Sequence, residues 1–327
     1  MLGLAEARAG RLDAADNILT LAGNWSLRDD PSHAWLIERR LRQGDYGSAF
    51  AHADTLARRW ADGNDRIYNL FTSAVLADQR ALPALTTVVG RKPSWRGAYI
   101  DYLIKREDGD AVLLALGIAL SNSSHGYSTY ELSRVYQHWY GENRFEAIRT
   151  LRQAVGRPGR LDDLQNGDFT ISAEQTLFPF GWSLPPASGI SSAAIEDDIR
   201  PDEMALRVEY DGYANVIAAE QILMLRPGSH RIIGDVRVET SPDTSRLRWS
   251  VSCVETNQPV VISPVSGASA DTRSWKRFSF GFTIPAENCQ VQRLRLVSDP
   301  GDRRATTVAW FDKLRVVAGQ IGESEIG

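Results

Sequence analysis

The sequence predicts a multidomain α plus β chain, in which an N-terminal α-solenoid is followed by an antiparallel β-sandwich. Its 327 residues are enough for two domains that each bury a core. The apolar residues follow a helical period up to about residue 157 and alternate in short runs beyond it. The segment 155–160, which contains two glycines and a proline, separates the two patterns. We therefore predict domains at 1–158 and 159–318, with a disordered tail at 319–327.

A short pattern recurs in the helical half with a spacing of 34 residues. It begins at Gly10 and returns at Gly44, and a third copy at Asn143 lies close to three such periods after Gly44. A glycine or asparagine at this position ends one helix in a left-handed cap, so that a second helix can pack closely against it. Further helices are predicted at 64–79, 81–89, 94–106, 110–121 and 127–141. The period resembles that of tetratricopeptide repeats, although another array of helical hairpins would show the same signals.

The second half consists of short runs that alternate between apolar and polar residues. Such runs occur at 205–210, 230–233, 247–253, 278–284 and 308–311. In the third run Trp249 shares a face with apolar residues, which predicts that it is buried and that Arg248 faces solvent or a ligand. Trp182 and Trp275 are also assigned to the core. The acidic run 196–198 is expected to be a solvated loop.

Several local patterns follow one another between residues 165 and 317. They lie at 166–169, 180–182, 205–208, Gln221, 225–230, 274–278, 282–285 and 310–314. In this order they resemble the galactose-binding-like jelly roll of carbohydrate-binding modules. The resemblance implies a concave sheet face that binds a glycan, and in some members a structural calcium held near the first and last strands. Asp168 and Asp312 are its candidate ligands, but Thr170 stands where the family pattern carries an acidic residue; no other cofactor is expected.

Glycan recognition requires aromatic faces for the apolar side of a sugar ring, and planar polar groups for its hydroxyls. The residues with these properties near the predicted strands are Tyr210, Tyr213, Asn215, Gln221 and Arg248. We take them as candidate glycan-binding residues. For any one of them the alternative role is packing, because most aromatic side chains pack against the core.

The two cysteines, Cys253 and Cys289, both lie in the second half. They are compatible with a disulfide, and equally with two buried thiols. A disulfide favours a periplasmic or exported protein, on the assumption that an export signal lies upstream of the sequence; a cytoplasmic location stays open. Apolar runs of the ~20 residues that a membrane helix needs are missing from the sequence.

The net charge of −4 and a pI of about 5.8 argue against nucleic acid as a partner. Sequence motifs of hydrolases, phosphate loops and dinucleotide sites are absent, so we expect no enzyme. Our hypothesis is a non-catalytic adaptor of a bacterial cell envelope, whose repeats bind a protein partner and whose sandwich binds a glycan in exopolysaccharide assembly or export. The alternatives are an interaction protein that binds no sugar and, least favoured, a glycan-active enzyme.

Overall fold

The computed structural model describes residues 2–59, 64–121, 124–155, 163–171, 177–239, 246–264, 274–300 and 305–319. The chain divides into two compact units. The first comprises Met1–His138 and Ala154–Gly156, and the second comprises Trp139–Gln153 and Arg157–Gly327. The predicted boundary at residue 158, and the predicted tail except for residue 319, lie outside the described residues.

The N-terminal region is helical throughout its described residues. Its elements are α1 (Leu2–Arg8), α2 (Leu12–Trp25), α3 (Asp30–Arg42), α4 (Tyr46–Ala57), α5 (Asp65–Ala77), a 3-10 turn (Gln79–Ala81), α6 (Leu82–Gly90), α7 (Arg96–Ile104), α8 (Gly109–Ser121), α9 (Thr129–Gly141) and α10 (Phe145–Val155). The five helices predicted between residues 64 and 141 are confirmed, with ends that differ from the prediction by at most two residues. In the first unit α3 packs on α4, and α6 contacts both α4 and α8.

The three recurring positions share one turn geometry. Gly10, Gly44 and Asn143 have φ values of 77°, 72° and 56°, which confirms the predicted left-handed caps. In each turn the next amide donates to the carbonyl oxygen five residues before it. The bonds are Arg11 to Glu6 at 3.0 Å, Asp45 to Arg40 at 2.9 Å, and Arg144 to Trp139 at 2.7 Å. The repeated pattern therefore encodes a repeated way of ending a helix.

The second unit contains two antiparallel sheets that face a common core. The strands are β1 (Ile190–Glu196), β2 (Met204–Tyr210), β3 (Ile217–Leu223), β4 (Gly228–Val238), β5 (Leu247–Cys253), β6 (Pro259–Ile262), β7 (Lys276–Ile284), β8 (Gln292–Ser298) and β9 (Thr307–Ala318). One sheet has the order β1-β2-β9-β4-β7 and the other β3-β8-β5-β6. Both contribute to one cluster of buried apolar residues, so the predicted β-sandwich is confirmed.

Trp249 lies at the centre of this core. It is fully buried, and its ring contacts those of Trp182 and Phe311 at centroid distances of 5.9 and 5.4 Å. The predicted burial of Trp249 and Trp182 is thus confirmed. The alternation of β5 around Trp249 fixes which of its side chains can reach solvent.

Cys253 and Cys289 form a disulfide, which decides between the two roles proposed for them. It joins the end of β5 to the segment before β8, with 4.9 Å between the Cα atoms. Such bonds are typical of proteins from oxidising compartments. None of the helices in the described ranges is long and apolar enough to span a bilayer.

Replacing Gly44 with alanine should lower the free energy of unfolding by about 1 kcal/mol. The new Cβ meets no atom within 4 Å, so the cost is the strain of a side chain at φ 72°. Gly97 in α7 has the same open space but no left-handed φ, and Gly97→Ala should be stabilising by up to ~1 kcal/mol. Urea unfolding followed by far-UV circular dichroism measures both. Equal effects of the two substitutions would contradict the left-handed cap.

Replacing both cysteines with serine should lower the free energy of unfolding by about 3–4 kcal/mol, because the disulfide links residues 36 positions apart. Urea unfolding monitored by tryptophan fluorescence reports on the core around Trp249. Dithiothreitol should reproduce the loss in the wild-type protein and leave the double variant unchanged. A wild-type midpoint that does not move on reduction would show that the bond contributes no stability.

Candidate functional site

Side chains of the four-stranded sheet alternate between the core and its outer face. Every second residue of β5 and β8 is buried, so Arg248, Arg293 and Arg295 point away from the core. Glu220 and Ile222 of β3 lie opposite Arg295 and Arg293 in the register, and therefore share their side of the sheet. We call Arg248, Arg293 and Arg295 the arginine face.

Glu220 is the counter-charge of two of these arginines. Its Oε2 atom accepts a hydrogen bond from Nε of Arg295 at 2.5 Å and lies 3.6 Å from Nε of Arg293. The Nε atom of Arg293 is buried and has no hydrogen-bond partner within the described part of the chain. Arg248 pairs with Asp299, with 2.7 Å between Nη2 and Oδ2.

A cavity of about 520 Å³ opens beside β3, within the second unit. Its lining consists of Tyr140, Phe178, Pro179, Gly181, Trp182, Ser183, Leu184, Glu220, Gln221 and Ile222. The rings of Tyr140 and Phe178 meet edge to face at 5.9 Å, and Phe178 is 41% exposed. The Tyr140 hydroxyl oxygen accepts a long hydrogen bond of 3.5 Å from Nη2 of Arg293. The cavity thus presents aromatic surface next to a carboxylate and two guanidinium groups.

The aromatic wall of the cavity is attached to the sandwich at several points. Ser183 and Glu220 exchange two backbone hydrogen bonds of 2.8 Å, so the segment before β1 runs along the free edge of β3. The indole N–H of Trp182 donates to the carbonyl of Asn166 at 2.9 Å, and its ring stacks on Phe169. These contacts hold the wall in place before any ligand arrives.

Two of the five candidate glycan-binding residues are buried. Gln221 lines the cavity but is only 1% exposed, and its amide makes two hydrogen bonds of 2.9 and 2.8 Å with the backbone of Gln165. Tyr210 has no exposed surface, and its hydroxyl donates to the carbonyl of Ala214 at 2.6 Å. Both side chains position neighbouring loops in this structure.

The other three candidates gather at one end of the four-stranded sheet. Tyr213 and Asn215 are exposed in the loop 211–216, whose backbone donates a hydrogen bond of 2.7 Å to the hydroxyl of Ser298. Ser298 is the last residue of β8. Arg248 of β5 pairs with Val297, the residue just before Ser298. The loop therefore lies at the end of the sheet where the arginine face ends with Arg248.

The outer face of the five-stranded sheet has a different character. The acidic run 196–198, expected to be solvated, contributes the buried carboxylate of Asp197. Asp197 accepts hydrogen bonds from Nη2 of Arg237 at 2.9 Å and from the indole N–H of Trp275 at 2.8 Å. The guanidinium of Arg237 also lies 4.6 Å from the ring centre of Trp310. Trp275 thus packs outside the sheet rather than in the predicted core position, because its N–H and ring are engaged by these charges.

The two candidate calcium ligands do not assemble a site. Asp168 is exposed and accepts a hydrogen bond from Thr170 at 3.2 Å, whereas Asp312 is buried and lies 3.5 Å from Arg200. Burial raises the pKa of Asp312 above its ordinary value. No group of three or more acidic, histidine or cysteine side chains in the described ranges is arranged so that it could hold a metal ion. Calcium takes roughly six to eight oxygen ligands, so these residues do not fit it.

Comparisons with known proteins return only distant similarity. No protein-family model and no curated protein matches the chain. Among solved structures, a CBM4 structure covers 48% of this chain and 99% of its own length, with 16% identity and a TM-score of 0.36. The CBM22-1 xylan-binding domain of Paenibacillus barcinonensis Xyn10C covers 43% of this chain and 86% of its own length, with 12% identity and a TM-score of 0.30. A family 16 carbohydrate-binding module covers 42% of this chain and 90% of its own length, with 16% identity and a TM-score of 0.30. Scores this low carry no inference about a ligand.

Several side chains around the cavity were not predicted from the sequence. Tyr140 and Phe178 are separated by a long stretch of sequence, and nothing in either local pattern signals that the two rings meet. The outward positions of Arg293 and Arg295 could have been predicted, because these arginines alternate with Leu294 and Leu296. That alternation is the same one that identified Arg248 as outward-facing.

Replacing Gln221 with leucine should lower the free energy of unfolding by about 1–3 kcal/mol, because it removes both hydrogen bonds to the half-buried backbone N–H and carbonyl of Gln165. Ser252→Ala, on the outer side of β5, is the matched control and should change the free energy of unfolding by less than ~0.5 kcal/mol. Thermal and urea unfolding measure both. Unchanged stability of the Gln221 variant would argue instead for a role confined to ligand contact.

Proposed function

We propose that the sandwich binds a polysaccharide at the cavity and along the arginine face. The observation that carries this proposal is the exposed ring of Phe178, which packs against Tyr140 and lines the same cavity as Glu220. A sugar ring has an apolar face, which packs on aromatic surface, and hydroxyl groups, which bind carboxylates and guanidinium groups. The cavity volume of about 520 Å³ lies within the range of small-ligand sites. Tyr213, Asn215 and Arg248 would extend the contact for a longer polymer.

The proposed role is binding without catalysis. Hydrolysis of a glycosidic bond generally uses two carboxyl groups on either side of the bond. Of the described residues that line the cavity, Glu220 is the single carboxylic acid, and it is paired with Arg295. A carboxylate paired with a guanidinium group keeps further lone pairs, which can accept hydrogen bonds from sugar hydroxyls.

For the helical unit we propose a tetratricopeptide-type solenoid that binds a protein partner. The 34-residue spacing of Gly10 and Gly44, their shared caps, and the succession of contacts from α4 to α6 and α8 support this arrangement. The disulfide supports an exported location. The whole chain would then be an adaptor of the bacterial cell envelope, linking a protein partner to a polysaccharide in exopolysaccharide assembly or export.

Phe178→Ala should weaken polysaccharide binding at least tenfold, because it removes the exposed aromatic surface of the cavity. Affinity gel electrophoresis and isothermal titration calorimetry with a panel of neutral and acidic polysaccharides measure the change. Tyr130→Ala is the control, since Tyr130 is 71% exposed on α9 and does not line the cavity.

Three outcomes separate this proposal from its alternatives. Binding that survives in the Phe178 variant would move the site elsewhere on the sandwich. Failure of the wild-type protein to bind any polysaccharide would favour an interaction protein without sugar binding. Release of reducing sugar from a polymer, abolished by Glu220→Gln, would instead establish a glycan-active enzyme.

A further inference from the structure

We propose that the polysaccharide is acidic, with carboxylate groups that bind to Arg293 and Arg295. This inference rests on the proposed function and specifies its ligand class. The outer side of β3, β5 and β8 carries three arginines against Glu220, with Asp299 at the end of β8 as a second carboxylate. The face is therefore positively charged, although the whole chain has a net charge of −4.

Arg293 is less tightly paired than Arg295 among the described residues. Its side chain is 22% exposed, and its Nη2 contact with the Tyr140 hydroxyl is long, at 3.5 Å. Glu220 cannot supply both arginines equally, because its Oε2 atom is 2.5 Å from Arg295 and 3.6 Å from Arg293. A planar carboxylate accepts two parallel hydrogen bonds from one guanidinium. A ligand carboxylate would thus bind the exposed side of the Arg293 guanidinium group.

Arg237 of the opposite sheet differs from these arginines in its exposure and its partners. Arg237 is 3% exposed and is paired with Asp197, Asp198 and Glu239. Its guanidinium group is therefore closed to a ligand, whereas the side chains of Arg293 and Arg295 are 22% and 27% exposed. An anionic ligand can therefore reach the guanidinium groups of the arginine face but not that of Arg237.

The positions of the arginines suit an extended polymer rather than a single anion. Arg293 and Arg295 alternate along β8 and are therefore about 7 Å apart in backbone rise. Arg295 lies opposite Glu220, which lines the cavity, and Arg248 lies farther along the sheet beside the exposed loop 211–216. A chain seated in the cavity would run past all three guanidinium groups in turn.

The test compares polygalacturonate with neutral xylan, using the full chain and affinity electrophoresis at 50 and 500 mM NaCl. We expect polygalacturonate to bind at least tenfold more tightly than xylan at low salt, and to lose about tenfold in affinity at high salt. The double substitution Arg293→Gln and Arg295→Gln should remove that preference, because polygalacturonate loses at least tenfold in affinity and xylan loses much less. Arg315 is an exposed arginine on the five-stranded sheet, and Arg315→Gln should change the affinity for neither polygalacturonate nor xylan.

Dextran sulfate is the control for unspecific electrostatic binding. If the double variant unfolds, Arg248→Gln replaces it, because the Arg248 side chain is more exposed. A smaller loss of polygalacturonate affinity in Arg248→Gln supports the proposal. Equal affinity for xylan and polygalacturonate overturns it while the proposed glycan binding stands. Dextran sulfate binding as tight as polygalacturonate binding, and unaffected by the substitutions, overturns it as well. Binding of no polymer at all rejects the proposed function together with this inference.

Discussion

The interior shared by the two sheets determines where every polar side chain of the sandwich can point. Trp249, Leu294 and Phe311 fill that interior from strands of both sheets. Because strand side chains alternate, burying these residues forces their neighbours in β5 and β8 outward. The row of arginines is therefore a consequence of core packing. A slip of β8 by one residue would bury two guanidinium groups and expose the leucines, which makes this register costly to change.

The two outer faces of the sandwich use arginine in opposite ways. Arg237 is surrounded by carboxylates and indole rings, so its charge is compensated within the protein and the group serves to hold the loop before β2. Arg293 shares one carboxylate with Arg295, and the two side chains are 22% and 27% exposed. A buried and compensated guanidinium group indicates a structural role, whereas exposed guanidinium groups next to exposed aromatic rings indicate a place for a ligand.

Features set by local periodicity could be predicted from the sequence, and features set by tertiary contact could not. The helix ends near Gly44 and the inward face of Trp249 depend only on neighbouring residues, and both are confirmed. The burial of Asp197 depends on Arg237, which is 40 residues away and gives no local signal. The meeting of Tyr140 with Phe178 likewise arises only when the segment before β1 folds along the edge of β3.

Hydroxyl-radical footprinting of the full chain, with and without an oligogalacturonate, tests most directly whether the cavity and the arginine face bind polysaccharide. The rings of Phe178 and Tyr140 are partly open to solvent and should lose several-fold in oxidation rate when the oligosaccharide is present. Oxidation of Tyr130 on α9 should stay constant. Unchanged oxidation of both cavity rings, or protection confined to Trp275 on the other sheet, would contradict this account.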